Sequence, residues 1–379
     1  MNSLKSIDRW FFSHGSPTAL GLIRIALGLV CVVNLGMMFG QWRDWFTESG
    51  FHPAWFADAF LGHPDQAGDL VFSRPNLYGL SNSDAWSLIL FGSTFVLAVL
   101  LTVGLWTKPV SIAFAVLVVS MHHRSPVILH GGDTILRCLV LYLAMSPCGQ
   151  ACSLDRLRAI WAGRISREPA VAPLWSQRLI SYNVSLVYFT TVWLKTGGNL
   201  WRDGLATWYP NRLQEFERFP LPPFVLEVPM VKLTTYGTLF VEFAMVTLVY
   251  HKPFRKYILA AAVLMHLFIE YSMNIPIFAF LMILSYLSFF EGSEIDEWSK
   301  QVGEKLAKWL VKVPIGQAVP QTTVDALGAM DPFDLVEYVE SDEEPTKGML
   351  RASALRSVGA WCFAWLPGVW RRVNRGGIR

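Results

Sequence analysis

The chain has 379 residues, of which 53% are hydrophobic and only 16% charged. A soluble domain carries about 25% charged residues, so this composition excludes an ordinary water-soluble enzyme. The net charge is +3 and the basic residues lie between apolar runs, which leaves no single patch for nucleic acid.

Eight apolar runs predict an all-α fold, a polytopic membrane helical bundle of about eight transmembrane helices with short or re-entrant helices near the outer face. The runs fall at 18–39, 85–104, 109–121, 133–147, 179–195, 231–250, 256–272 and 276–290. The first follows Lys5 and Arg9, carries Arg24 and has no small-residue cleavage site, so it reads as a retained span. Arg24 lies near the cytoplasmic end of that run, where snorkelling is expected. Lys108, the arginines at 156, 158, 164, 167 and 178, and Lys252, Arg255 and Lys256 crowd one set of loops. That side is cytoplasmic by the positive-inside rule, so both termini are too.

The opposite loops, 40–84 and 198–230, are aromatic-rich and read as interfacial caps, with Trp42, Trp45, Trp55 and Phe56 in the first. After a transmembrane region at 1–292, residues 293–330 are expected to form a cytoplasmic amphipathic helix region. An acidic linker at 331–348 and a basic, Trp-rich tail at 349–379 follow. The tail suits an anionic membrane surface. Cys148 and Cys152 are spaced too loosely for a metal or redox pair and read as free thiols.

The chemistry concentrates in the polar stretch between the third and fourth runs, residues 122–133. Because its flanking runs are only about 13 residues each, about 20 Å of helix, the turn is expected to sit below the membrane surface. Ionisable groups at that depth are costly and therefore functional candidates. Ser125-Pro126 breaks the third helix. Gly131 and Gly132 allow close backbone approach, and Asp133 is placed as the N-cap of the next helix. Arg137, one turn on, is expected to orient Asp133, leaving Arg124 to bind an anionic head group at the helix N-terminus. His122 or His123 with His130 and Asp133 fits no standard zinc spacing, so no metal is assigned.

Two further groups stand out. Lys195 and Trp201 lie at the outer end of the fifth run, with Tyr188 two turns earlier. Lys195 reads equally as a snorkelling residue. Glu242 is deep in the sixth run, and His266 and Glu270 share a face of the seventh. A paired carboxylate and imidazole form a natural proton relay, and an internal polar network is the alternative. Glu242 and His266 are expected to be internal and near each other.

The order of these motifs resembles the horizontally transferred transmembrane domain family, which includes the vitamin K-dependent gamma-carboxylase. It runs from Gly104-Leu-Trp through His122-His-Arg-Ser-Pro, Gly131-Gly-Asp, Lys195, Trp201 and Gly204 to His266, over about residues 10–290. The resemblance implies a bacterial-type inner-membrane protein with an outward-facing intramembrane pocket for a lipid or quinone. It implies a reduced quinone as cofactor or substrate, and a catalytic set of His122, His123, Asp133, Lys195, Glu242 and His266. Arg124, His130, Gly131, Gly132, Arg137 and Trp201 are the expected ligand contacts. The carboxylase's catalytic lysine falls near residues 122–125, where this chain has no lysine; Arg124 is the nearest basic residue there, and arginine stays protonated and is a poor base. Glutamyl carboxylation is therefore not expected. The open readings are a quinol- or lipid-modifying enzyme, a non-catalytic lipid-binding or partner-scaffolding protein, and, less favoured, a small-solute transporter. Membrane lipids are the expected partners, and the sequence does not identify a protein partner.

Overall fold

A computed structural model describes residues 8, 10–53, 76–306, 311–315, 320–331, 333–334 and 336–340. The helices in chain order are α1 (Thr18–Met38), α2 (Trp42–Phe46), α3 (Asp84–Val103), α4 (Thr107–Arg124), α5 (Gly131–Met145) and α6 (Leu154–Trp161). They continue with α7 (Trp175–Thr196), α8 (Asn199–Arg202), α9 (Val228–Thr247), α10 (Lys252–Ser272), α11 (Phe278–Ser285), α12 (Gly292–Leu306) and α13 (Gln321–Ala329). The eight apolar runs correspond to α1, α3, α4, α5, α7, α9, α10 and α11.

Among the described residues, three helical stretches are long and apolar enough to cross a membrane: Thr18–Phe46, Asp84–Val103 and Val228–Tyr250. A fourth results if Phe278–Phe289 and Gly292–Lys305, bent by 95° at their junction, are one broken span.

The helices pack as two groups. In the first, α1 lies on α3, α3 on α4 and α4 on α5. In the second, α7 lies on α9, α9 on α10 and α10 on α11. Helix α11 also touches α1, α5 and α7, so it closes one group on the other. Leu20, Ile23, Leu27, Phe91, Phe114 and Ile180 are fully buried at the centre. The outward faces of the same helices stay apolar, as Met37, Val116, Phe189, Phe240 and Leu264 show. An apolar core beneath an apolar exterior suits a hydrocarbon solvent and would be an aggregation hazard in water.

Local chemistry sets the boundaries. Ser83 caps α3 by accepting the Trp86 N–H at 3.2 Å, and Gly104, at φ 72°, ends it in the left-handed conformation that favours glycine. Asp155 Oδ1 accepts from the Trp106 N–H at 2.8 Å and its Oδ2 from the Thr107 N–H at 2.6 Å, capping α4 from the first turn of α6.

Arg24 does not snorkel. It is fully buried and donates to the carbonyl oxygens of Leu101, Thr102, Cys148 and Cys152. The carbonyls of a helix end and a tight loop lack partners of their own, so they draw the guanidinium inward. Cys148 and Cys152 are free thiols.

The third run is longer than its apolar part. Helix α4 spans 18 residues, about 27 Å, and His122 to Arg124 form its last turn. A short helix therefore does not place the polar stretch. The inward burial of His122 and Arg124, each 3% exposed, does.

Helix α12 ends at Leu306, and strand β3 (Val311–Ile315) pairs in parallel with β4 (Val336–Glu340), inside the stretch read as acidic linker. The only other paired strands among the described residues are two-residue segments, β1 (His14–Gly15) and β2 (Ala172–Pro173). Lys5, Arg9, Trp55, Phe56, residues 341–348 and the tail at 349–379 lie outside the described residues.

Candidate functional site

Ser125 and Pro126 end α4 as the sequence predicts, and a short 3-10 turn, Pro126–Ile128, leads into α5. The cap of α5 differs from expectation. His130 is the N-cap: its Nδ1 accepts the Gly132 N–H at 3.0 Å. Asp133, one turn in, reaches back to accept the His130 N–H at 2.9 Å. This is a capping box with histidine in the usual serine position.

Asp133 thereby sits between two imidazoles. His122 Nε2 is 3.5 Å from Oδ1, and His130 Nε2 is 3.5 Å from Oδ2. These three side chains line a cavity of about 210 Å³. Its other walls are apolar, from Met38, Trp45 and Phe46 on one side, Met121, Ile128 and Leu129 on another, and Pro276 and Ile277 on the third. Asn34 of α1 also lines it. Ile277 holds φ 53°, which strains a β-branched residue and marks this wall as over-determined by its surroundings.

Arg124 is drawn away from this cavity. It donates to the His52 carbonyl at 2.7 Å and the Thr47 carbonyl at 3.4 Å, and lies 3.5 Å from Glu48 Oε1. It ties the loop after α2 to α4, because a buried guanidinium takes the nearest acceptors. Arg137 does not orient Asp133. Its Nη2 lies 3.4 Å from the Thr134 hydroxyl, and the His130 amide and the two imidazoles do the orienting. Gly132 is closely packed: a Cβ there would lie 2.7 Å from His130 Cε1 and 3.2 Å from Phe278 Cα, whereas one on Gly131 would meet open space. Gly132 thus serves helix packing and not ligand approach. His123 is half-buried and does not line the cavity.

A second polar cluster lies across Phe278, whose ring is 5.3 Å from that of His266. Lys195 donates to Glu242 Oε1, and its Nζ also sits 4.6 Å over the Trp201 ring. Lys195 is therefore paired inward and does not snorkel. Glu242 and His266 are 5% and 2% exposed, so both are internal. His266 Nε2 bonds the Tyr188 hydroxyl at 2.8 Å, and Tyr188 in turn bonds Tyr286. His266 does not pair with Glu270, which takes Arg218 from the loop between α8 and α9.

No group of three His, Cys, Asp or Glu side chains among the described residues is arranged to hold a metal ion. Sequence reasoning missed Asn34, Ile277 and Tyr286. Asn34 is a polar residue within an apolar run and was visible as such. Ile277 and Tyr286 carry no signal in their own neighbourhoods.

The HTTM domain family matches residues 74–293, more than half of the chain. No curated protein and no solved structure matches it. The matched region runs from just before α3 to the start of α12 and contains both polar clusters, and the chain belongs to the HTTM domain family and is an integral membrane protein.

Proposed function

We propose that the cavity between α1, α4, α5 and the start of α11 takes the head group of a lipid or quinone that enters from the bilayer. One observation carries this reading. A small polar floor, His122, His130 and Asp133, is flanked by mostly apolar walls around a volume of about 210 Å³. Ligand sites are mostly apolar with a few convergent polar groups, and whole drug-sized ligands need about 300 Å³ or more. A head group fits, and its chain would remain in the hydrocarbon. In this reading the eight apolar helices all cross the membrane, both termini are cytoplasmic, and the floor faces the outer side. His122 and Asp133 are the groups for proton transfer.

A non-catalytic lipid-binding role is the second reading. It is favoured by the inward pairing of Lys195 with Glu242 and of Tyr188 with His266, which together look like bundle cement.

Native mass spectrometry of the purified protein tests the site. The wild type should retain a lipid or quinone, and Leu129→Trp, which fills the cavity, should lose it. Equal retention by both proteins, or none by the wild type, would overturn the reading.

A further inference from the structure

The hydrogen-bond pattern of the cavity floor defines what a ligand must offer. His130 Nδ1 accepts the Gly132 N–H at 3.0 Å, so its proton is on Nε2, facing Asp133. His122 also turns Nε2 to Asp133, at 3.5 Å, and a carboxylate oxygen only accepts. That places the His122 proton on Nε2 as well. His122 Nδ1 is then a bare lone pair. It is buried, on a residue 3% exposed, and among the described residues no hydrogen bond reaches it. A buried polar atom without a partner calls for an explanation.

The features that would favour an anion are engaged elsewhere. Arg124 is held by residues 47–52, and Arg137 turns to Thr134. Two of the first amide groups at the α5 N-terminus are closed by the capping box. Asp133 stands at the floor itself, and a second negative charge beside it in a low dielectric would be repelled.

We propose that this cavity binds a neutral head group bearing a hydroxyl, which donates its hydrogen bond to His122 Nδ1, and that it disfavours anions and ethers. The proposal rests on the head-group reading above. Asp133 acts as the positioning residue: by holding Nε2–H it keeps Nδ1 an acceptor, the arrangement by which a carboxylate fixes an imidazole tautomer.

The test uses the full chain in lipid nanodiscs, labelled with a photoreactive alkylbenzene diazirine. Labelling of residues 121–133 and 276–277 is read by peptide mass spectrometry. Competitors are para-octylphenol, dodecanol, para-octylanisole and octyl phosphate. The phenol, the alcohol or both should protect at concentrations about tenfold below the methyl ether and the phosphate, the factor expected for one buried hydrogen bond. Protection by dodecanol as well identifies an aliphatic hydroxyl, and by the phenol alone an aryl one. In His122→Phe the phenol-to-ether gap should close while the ether still protects. Equal protection by phenol and ether in the wild type, or best protection by the phosphate, overturns the proposal alone. Absence of any labelling at the cavity overturns the head-group reading and the proposal with it.

Discussion

Arg24 Nε lies 3.2 Å from the Cys148 carbonyl oxygen, joining α1 to the loop that follows α5. The same guanidinium reaches three more carbonyls, at Leu101, Thr102 and Cys152. Arg24→Met would leave four acceptors without their donor, at about 1–3 kcal/mol for each one that stays buried. We expect a loss of several kcal/mol, read as a lower thermal midpoint in detergent. Arg24→Lys should recover only part of it, since an ammonium cannot span four carbonyls in a fork. Wild-type stability in Arg24→Lys would show that charge alone matters here.

Lys195 and Glu242 form an ion pair with the carboxylate side almost fully buried. Removing one partner of a buried pair leaves an uncompensated charge and costs about 3–5 kcal/mol, whereas replacing both can be near neutral. Lys195→Met and Glu242→Leu should each destabilise strongly, and the double variant should regain most of the loss. Additive losses in that double-mutant cycle would argue against a direct pair.

Gly131 and Gly132 are adjacent and should respond in opposite ways. Gly131→Ala meets open space at the start of α5 and should be neutral or gain up to about 1 kcal/mol from helix propensity. Gly132→Ala would press a methyl group on His130 and the Phe278 backbone, costing about 1–3 kcal/mol. It should also weaken ligand retention, because His130 shares Asp133 with His122. Equal behaviour of the two alanine variants in thermal unfolding would refute this packing account.

Glu294 on α12 gives a pH dependence beyond the eight apolar helices. Burial resists its charge, but the Glu291 N–H at 2.9 Å, Arg255 at 2.6 Å and Lys252 at 3.7 Å prevail and hold its carboxyl below the ordinary value. A carboxyl depressed in the folded state contributes stability above its unfolded pKa, about 4.3, and loses it as pH falls through the folded value. Glu294→Gln should therefore lower stability at pH 7, by roughly 1 kcal/mol or less for a partly exposed pair. The difference from wild type should shrink to nothing in acid. A constant difference from neutral to acid pH would remove the ion pair as its cause.

The topology rests on basic loops at 156–178 and 252–256. In intact cells an impermeant thiol reagent should label Asn76→Cys and spare Arg164→Cys. The reverse pattern would invert the protein and place the cavity on the other face.

Helix positions were legible because each apolar run is punctuated by proline, glycine or charge. The runs at 85–104 and 256–272 correspond to helices at Asp84–Val103 and Lys252–Ser272. The third run was read short because His122, His123 and Arg124 are polar, although a helix continues through polar residues when its inward face can satisfy them. Glu242 and His266 were legible as internal groups, since a charge or imidazole at that depth cannot face lipid. Their partners were not. Glu270 was paired with His266 by spacing alone, and the actual partner, Arg218, comes from a loop 52 positions away.

The sequence by itself determined the solvent, the helices and the polar residues that had to be buried. Composition and periodicity are local properties, and local sequence suffices to state them. The family was also legible, through the order of its motifs. Only the tertiary structure decided which buried group meets which. Arg24 and Arg124 became struts because distant carbonyls converge on them, and His122 and His130 came to share Asp133 because α4 ends against the cap of α5. Hydrogen-bond partners are set by the packing of helices far apart in the chain, and the spacing along one helix does not contain that information.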